Sequence, residues 1–576
     1  MTNRSVRTLA TAAALALVLT SCAQSQREGT GGSTGSKDGD TSTSSAGGGA
    51  AAGGEGGDGT FVFGAAGAPT TFDPFYASDG ETFRISRQIF QNLIGIEAGG
   101  TEAIPELATE WTSSEDGLTW DFKLQEGVKF HDGTDFDAEA VCANFERWYT
   151  QNEIGQSDAV TSYWASDFGG FKDSEGESLY DSCEATDELT AQVKITRATG
   201  KFPMVLSQAA YAMQSPTAME KYDANGVKQE GEAFVFPAYA NEHPTGTGPF
   251  KFAGYDDGAG QVTLERNDDY WGEKAGVKEL VFRIIPEENA RRQELESGTI
   301  NGYDLPNPVD WQALEDAGNQ VLIRDPFNVL YLGLNPTSDE DLMDLKVRQA
   351  LYHAINRDAL VKNQLPEGAE VATQFIPSTV MGYNTDLDAY AYDPEKAKSL
   401  LKEAGKEGME IDLWYPTEVS RPYMPDPLRI YEAVKADWEA IGVKVNPISK
   451  PWAGGYLDGV QGEKGAPAFF LGWTGDYNSP DNFLSSFFGT STNSFGTANY
   501  DWGKELNEAL KAADSEPDED KRTQMYSDVN AKIMEEWLPG LPISHSPPAI
   551  VVGPNVEGLV QSPLTAEDFS TVTLSE

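Results

Sequence analysis

Basic residues are scarce in this sequence. Of 576 residues, 42 are Lys or Arg against 91 Asp or Glu, a formal net charge of −49. Arg4 and Arg7 lie in the first 21 residues, which hold no acid, so the remainder sets 91 acids against 40 bases, or −51. Such a surplus repels phosphate backbones and anionic lipid surfaces, which excludes nucleic acid as a main partner. It reads as the solvated acidic surface of an exported protein. Histidine is scarcer: only His131, His243, His353 and His545. No HExxH is present, no GxSxG elbow joins a strand to a helix, and no P-loop or dinucleotide glycine pattern precedes a helix. The glycines of 47–57 belong to a low-complexity stretch, and the three cysteines form no CxxC. An enzyme, a metal site and a bound cofactor are therefore not expected, and any ATP hydrolysis must belong to other chains.

Apolar residues make up 39% of the chain and aromatics 11%, enough for real cores. Single cores stop growing near about 250–300 residues, so at least two lobes are expected. The N-terminus has a basic start and an apolar run from Leu9 to Leu19, too short to span a bilayer. Leu19-Thr20-Ser21-Cys22 then resembles a bacterial lipobox, which makes 1–21 a lipoprotein signal peptide and Cys22 the lipidated N-terminus. Several acyl chains on one residue suffice for stable anchoring. Residues 22–59, rich in Gly, Ser, Thr and Ala, read as a flexible tether. Cys142 and Cys183 are either two buried thiols or a disulfide; export favours the bond.

From Phe61 onward, helical and strand patterns alternate. WDFKLQEGVKF (120–130) reads as a hairpin turning at Glu126-Gly127, and FDAEAVCANFERWY (136–149) as a helix capped by Asp137. LVFRIIP (280–286) is a buried strand by composition, and VRQALYHAINRDALV (347–361) one long amphipathic helix. YDPEKAKSLLKEAG (392–405) starts with Pro and stops at Gly, and 428–448 reads as helix, Gly stop, strand.

An ordered set of segments carries a resemblance. TTFDPFYASDGETF (70–83), IPELATEWTSSEDGLTWDFKLQEGVKFHDGTDFDAEAV (104–141), PTGTGPF (244–250), NDDYWG (267–272), the 347–361 and 392–405 segments and LGWTGDYNSPDNF (471–483) together resemble the peptide/nickel solute-binding lipoproteins of ABC importers, nearest the dipeptide-binding branch. The resemblance covers nearly everything after residue 60. It implies a two-lobed α/β flytrap of the periplasmic-binding-protein type, the large peptide-binder form with an inserted subdomain in the first lobe. Lobe I would comprise 60–284 plus 544–576, with the insertion at about 91–240, and lobe II 285–543. The hinge crossings would fall near Phe282–Pro286 and Leu541–His545. The implied partners are a short peptide and permease and ATPase subunits in other chains, with the membrane reached only through the lipid. A monomer on the outer face of the cytoplasmic membrane is expected.

Within the resemblance, Asp476 of the GWTGD loop would hold a peptide's α-ammonium, and Arg421 of SRPYMP its α-carboxylate. The chemistry agrees: an acceptor-only carboxylate suits an ammonium, and a planar guanidinium can bond both carboxylate oxygens. Trp473 and Tyr477 flank Asp476 either as walls that exclude water or as ordinary packing, and Gly472 belongs to the same loop. Asp481 reads as a helix cap. Ser78, Asp79 and Gly80 lie where the family's first lobe offers backbone groups, though turn chemistry explains them equally. Tyr163 and Trp164 either line the cleft or pack a core. His131 with its neighbouring aspartates reads as a structural turn rather than a metal site. The alternatives are longer oligopeptides, a nickel chelate, haem, an opine, an oligosaccharide, or a surface peptide sensor.

Overall fold

Phe61 and Phe63 are fully buried, and the strand they belong to, Thr60–Ala65, is the centre of the first sheet. The computed structural model describes residues 59–575 apart from 158, 231, 232, 389, 463, 491 and 492. The expected signal peptide, the expected lipidation site Cys22 and the expected tether to residue 58 lie outside the described residues. Thr60–Ala65 runs parallel to Glu279–Ile284 on one side and Gly302–Asp304 on the other. Phe250–Asp256, Gln261–Arg266, Ala549–Val552 and Gln320–Ile323 complete a seven-stranded sheet. The second sheet has six strands in the order Glu370–Val371, Gly540–His545, Asn328–Leu334, Ala468–Thr474, Glu410–Thr417, Lys444–Pro451. Asn328–Leu334 is buried along its whole length, as expected of a central strand with both faces covered.

The chain thus passes between the sheets at 324–327 and returns at 546–548. This corrects the expected first crossing at Phe282–Pro286 and the boundary at 284. The LVFRI strand has both edges occupied, by Gln261–Arg266 and Thr60–Ala65, and lies inside the first sheet. Two more short strands then join that sheet before the chain leaves it. The return also falls slightly later than expected, because Gly540–His545 still pairs within the second sheet. The two crossings are tied together. Arg324 N donates to Pro548 O at 2.8 Å. Asn328 donates to Ser546 O at 2.7 Å and accepts from Ser546 N at 3.1 Å.

A third sheet, Ala108–Ser113, Thr119–Leu124, Thr190–Ile195 and Tyr180–Asp187, has its own apolar core. The hairpin expected at 120–130 does not form. The turn at Glu126-Gly127 exists, with Gly127 at φ +79°, but both edges of Thr119–Leu124 are taken by Ala108–Ser113 and Thr190–Ile195. The helix Ala138–Tyr149 starts where Asp137 accepts from Ala140 N at 2.8 Å. Its Cys142 is joined by a disulfide to Cys183 of the neighbouring strand, Cα atoms 5.2 Å apart. The single helix expected over 347–361 is two, Leu345–Ala354 and Arg357–Gln364. Asn356 breaks it by capping the second, accepting from Ala359 N at 3.1 Å. The helices Pro394–Glu403 and Pro427–Ala440 stop before Gly405 and Gly442, both in the left-handed region where glycine carries no Cβ penalty.

Candidate functional site

The Ala468–Thr474 strand delivers the GWTGD loop to the boundary between the lobes. Gly475 has to be glycine there: a Cβ would sit 2.2 Å from the ring of Phe327, in the first crossing, and its N–H donates to Phe327 O at 3.0 Å. Gly472 is equally constrained, because a Cβ would meet the Tyr423 ring at 2.4 Å. The backbone of the Asp476 strand therefore packs directly on the loop that carries Arg421, and Gly472 acts through this close approach.

Asp476 is half-buried. Its Oδ1 accepts from the Tyr163 hydroxyl at 3.1 Å, and its N–H donates to Asn482 Oδ1 at 2.8 Å. The indole N–H of Trp473 donates to that same Asn482 oxygen at 3.1 Å, so one amide fixes both the loop and its aromatic neighbour. Burial raises the Asp476 pKa to about 6, and the bonds from Tyr163 and Asn482 and the charge of Arg87 restrain the rise. Burial, then the Asp476 charge, pushes the Tyr163 phenol well up, so it stays a neutral donor. Tyr163 stands on the Ser162–Asp167 helix and meets Phe83 edge-to-face at 5.5 Å. Phe83 belongs to Gly80–Ile89, the helix capped by Asp79, which accepts from Thr82 N at 2.9 Å. Ser78 and Gly80 are exposed at that helix start, and Asp79 is spent on the cap. Trp164 is fully buried in the subdomain core.

Arg421 is held by paired backbone bonds with Met424, 3.1 and 2.9 Å, and its guanidinium lies 4.4 Å above the Trp452 ring. No carboxylate approaches it within 4 Å among the described residues, and its Nε is buried without a partner. It borders a cavity of about 110 Å³ walled by both lobes, with Glu288, Arg291, Leu305 and Trp311 from one and Pro366 and Pro425 from the other. Glu288 makes no ion pair with Arg421 and accepts instead from the Tyr303 hydroxyl at 3.0 Å. A half-buried cation without an anion is poised for one.

Two expectations are corrected. Tyr477 is 2% exposed and packs in the core of the subdomain, with its hydroxyl donating to Asp481 at 2.6 Å; it offers a ligand no surface. Asp481 is no cap. It accepts from Ser479 and Tyr477 and faces Lys201 at 3.4 Å, while Lys201 also reaches Asp167 at 3.6 Å. Burial works against the Lys201 charge, but Asp481 and Asp167 outweigh it and push the pKa up. With Thr199 donating to Asp514 at 2.7 Å, these contacts clasp subdomain to second lobe on one side. Asn478, bonded to Thr101 at 3.0 Å, adds a contact beside the Asp476 loop. Asp132, near His131, accepts from Ser215 and Thr134, and His131 Nε2 bonds Gly248 O at 3.0 Å; these are structural uses. Asn482, Arg87 and Trp452 were not singled out by the sequence: an Asn six residues after the loop, an Arg on another lobe and a distant Trp carry no local signal.

Two sheets joined by two tied crossings, with a carboxylate and an unmatched guanidinium near their junction, define a two-lobed binding protein. The sequence profile of the bacterial extracellular solute-binding proteins, family 5 Middle, matches residues 102–495, and the chain belongs to that family. It is 33% identical over 529 residues to the dipeptide-binding protein of Escherichia coli K12, covering 89% of this chain and 94% of that one. It is 32% identical to heme-binding protein A of Haemophilus influenzae, with 89% and 92% covered. A solved structure of the dipeptide-binding protein from Pseudoalteromonas sp. SM9913 in complex with Met-Leu superposes with a TM-score of 0.75 at 26% identity, covering 90% of this chain and all of that one.

Proposed function

We propose that this chain is the extracytoplasmic receptor of an ABC importer and captures short peptides, dipeptides first, between its lobes. The observation that carries the reading is the pair Asp476 and Arg421: a half-buried acceptor and an anion-free guanidinium, on two loops packed against each other through Gly472 and Tyr423. A zwitterionic dipeptide brings one cation and one anion at a fixed separation. Each charge-assisted bond is worth about 1.5–3 kcal/mol net, and an end left unpaired in a closed cleft costs about as much. The two charges therefore act as a length gauge. Trp473 stands beside Asp476, Tyr163 steadies its carboxylate, and Ser78 and Gly80 leave the start of the Gly80–Ile89 helix open to the peptide backbone. Lipid on Cys22 anchors the receptor to the outer face of the membrane, and the permease and ATPase are separate chains.

Calorimetry with Ala-Ala, N-acetyl-Ala-Ala and Ala-Ala-amide tests the reading. Ala-Ala should bind and each blocked form should lose about tenfold or more. Equal affinity for all three, or binding of haem with no binding of any dipeptide, overturns it.

A further inference from the structure

The Gly80–Ile89 helix carries two arginines with opposite fates. Arg84 is 4% exposed and saturated with acids: it bonds Asp304 directly and has Glu81 at 3.7 Å and Glu567 at 3.8 Å. The side chain of Arg87, one turn beyond Phe83, makes no hydrogen bond and no ion pair within 4 Å among the described residues. It is half-buried, and its guanidinium lies 6.0 Å from the Phe83 ring centre. That ring contacts Tyr163, whose hydroxyl is bonded to Asp476. The contacts therefore run from Arg87 through Phe83 and Tyr163 to the carboxylate assigned to the ligand's ammonium.

The charges around Arg87 then decide what a ligand must bring. Asp476 is the anion that acts on Arg87 most strongly; Glu567 acts less, and Arg324 already engages it at 2.6 Å. Glu106 also feels the Arg87 charge, but it is committed to Asn92 N at 2.8 Å and to Gln91 at 3.3 Å. Asp167, the other carboxylate near Asp476, is bonded by Gln208 and Tyr211 and faces Lys201. When an ammonium neutralises Asp476, Arg87 loses its main counter-charge inside a closing cleft. A cation left this way is costly unless the ligand supplies an anion beside it.

We propose that Arg87 is a specificity residue whose guanidinium receives the acidic side chain of the ligand's first residue, so that peptides beginning with Asp or Glu are preferred cargo. The inference rests on the reading of Asp476 as the ammonium site. Its chemistry is that of a guanidinium–carboxylate pair, which can use two parallel hydrogen bonds.

The test is calorimetry of the full chain with Glu-Ala, Gln-Ala, Ala-Glu and Ala-Ala. Glu-Ala should bind about tenfold or more tightly than its neutral isostere Gln-Ala, and Ala-Glu should show no such advantage over Ala-Ala. In Arg87→Gln the Glu-Ala to Gln-Ala ratio should collapse toward one. Arg87→Lys, which keeps the charge and loses the planar fork, should retain a reduced ratio and serves if the Gln variant does not fold. A wild-type ratio near one while Ala-Ala binds, or a ratio unchanged in both variants, overturns this inference alone. Failure of all four peptides to bind overturns the ammonium site and this inference with it.

Discussion

The elevated pKa of Asp476 makes a quantitative demand on ligand binding. Free Asp476 titrates at about 6 because burial penalises its charge. In the proposed mode a peptide ammonium sits against it, favours the ionised form and depresses that pKa, so binding selects the carboxylate. The affinity is therefore fully present well above pH 6 and is lost as pH falls through 6. With one linked proton, protonation is slight at pH 7 and reaches about ten to one at pH 5, so Ala-Ala should bind about tenfold more weakly at pH 5 than at pH 7. The ligand's own groups do not confuse this window, since a peptide amine titrates near about 8 and a peptide carboxyl near about 3.5. Of the groups facing Asp476, Arg87 stays charged and Tyr163 stays neutral; Asp167 is the other carboxyl whose pKa burial raises. Calorimetry at pH 6 in two buffers of different ionisation enthalpy should register release of about half a proton per peptide bound. Asp476→Asn should bind weakly with no such slope. A flat wild-type profile between pH 7 and 5, or the same slope in Asp476→Asn, refutes the reasoning.

Arg421→Ala should cost about 2–5 kcal/mol of Ala-Ala affinity, since it removes one partner of a desolvated charge pair; calorimetry reads it directly. Lys201→Met touches no ligand, yet it leaves Asp167 and Asp481 facing each other without their cation between subdomain and second lobe. It should destabilise the joined form by about 3 kcal/mol, measured by urea unfolding, and unchanged stability would contradict the clasp. Replacing Cys142 and Cys183 by Ser opens a loop spanning a separation of 41 residues and should lower stability by about 3–4 kcal/mol in the same assay.

Local chemistry was legible from the sequence, and long-range placement was less so. Asp137 and the glycines at 405 and 442 act within a few residues of themselves, and their caps and stops follow from residue type. Asn356 shows the limit of periodicity: the apolar stripe continues through 347–361, but one side chain that bonds its own backbone divides the helix. The hairpin and the first crossing failed for a shared reason. Which strand takes an open edge depends on segments far away, Thr190–Ile195 in one case and Gln320–Ile323 in the other, and no local pattern encodes that. Around the candidate site the GWTGD and RPY motifs pointed to Asp476 and Arg421, whereas the groups that position them come from elsewhere. Tyr163 reaches Asp476 across 313 residues of sequence, and the Trp452 ring beneath Arg421 comes from a segment the motifs do not include. Tyr477 could have been wall or core by type; its neighbours in the subdomain decide for core.

In the proposed binding mode Asp476 and Arg421 hold opposite ends of one small zwitterion. A chemical double-mutant cycle tests it most directly, with Ala-Ala, N-acetyl-Ala-Ala and Ala-Ala-amide titrated against wild type, Asp476→Asn and Arg421→Ala. The acetyl penalty should vanish in Asp476→Asn and persist in Arg421→Ala, and the amide penalty should do the reverse. Penalties that both survive both substitutions would contradict the account.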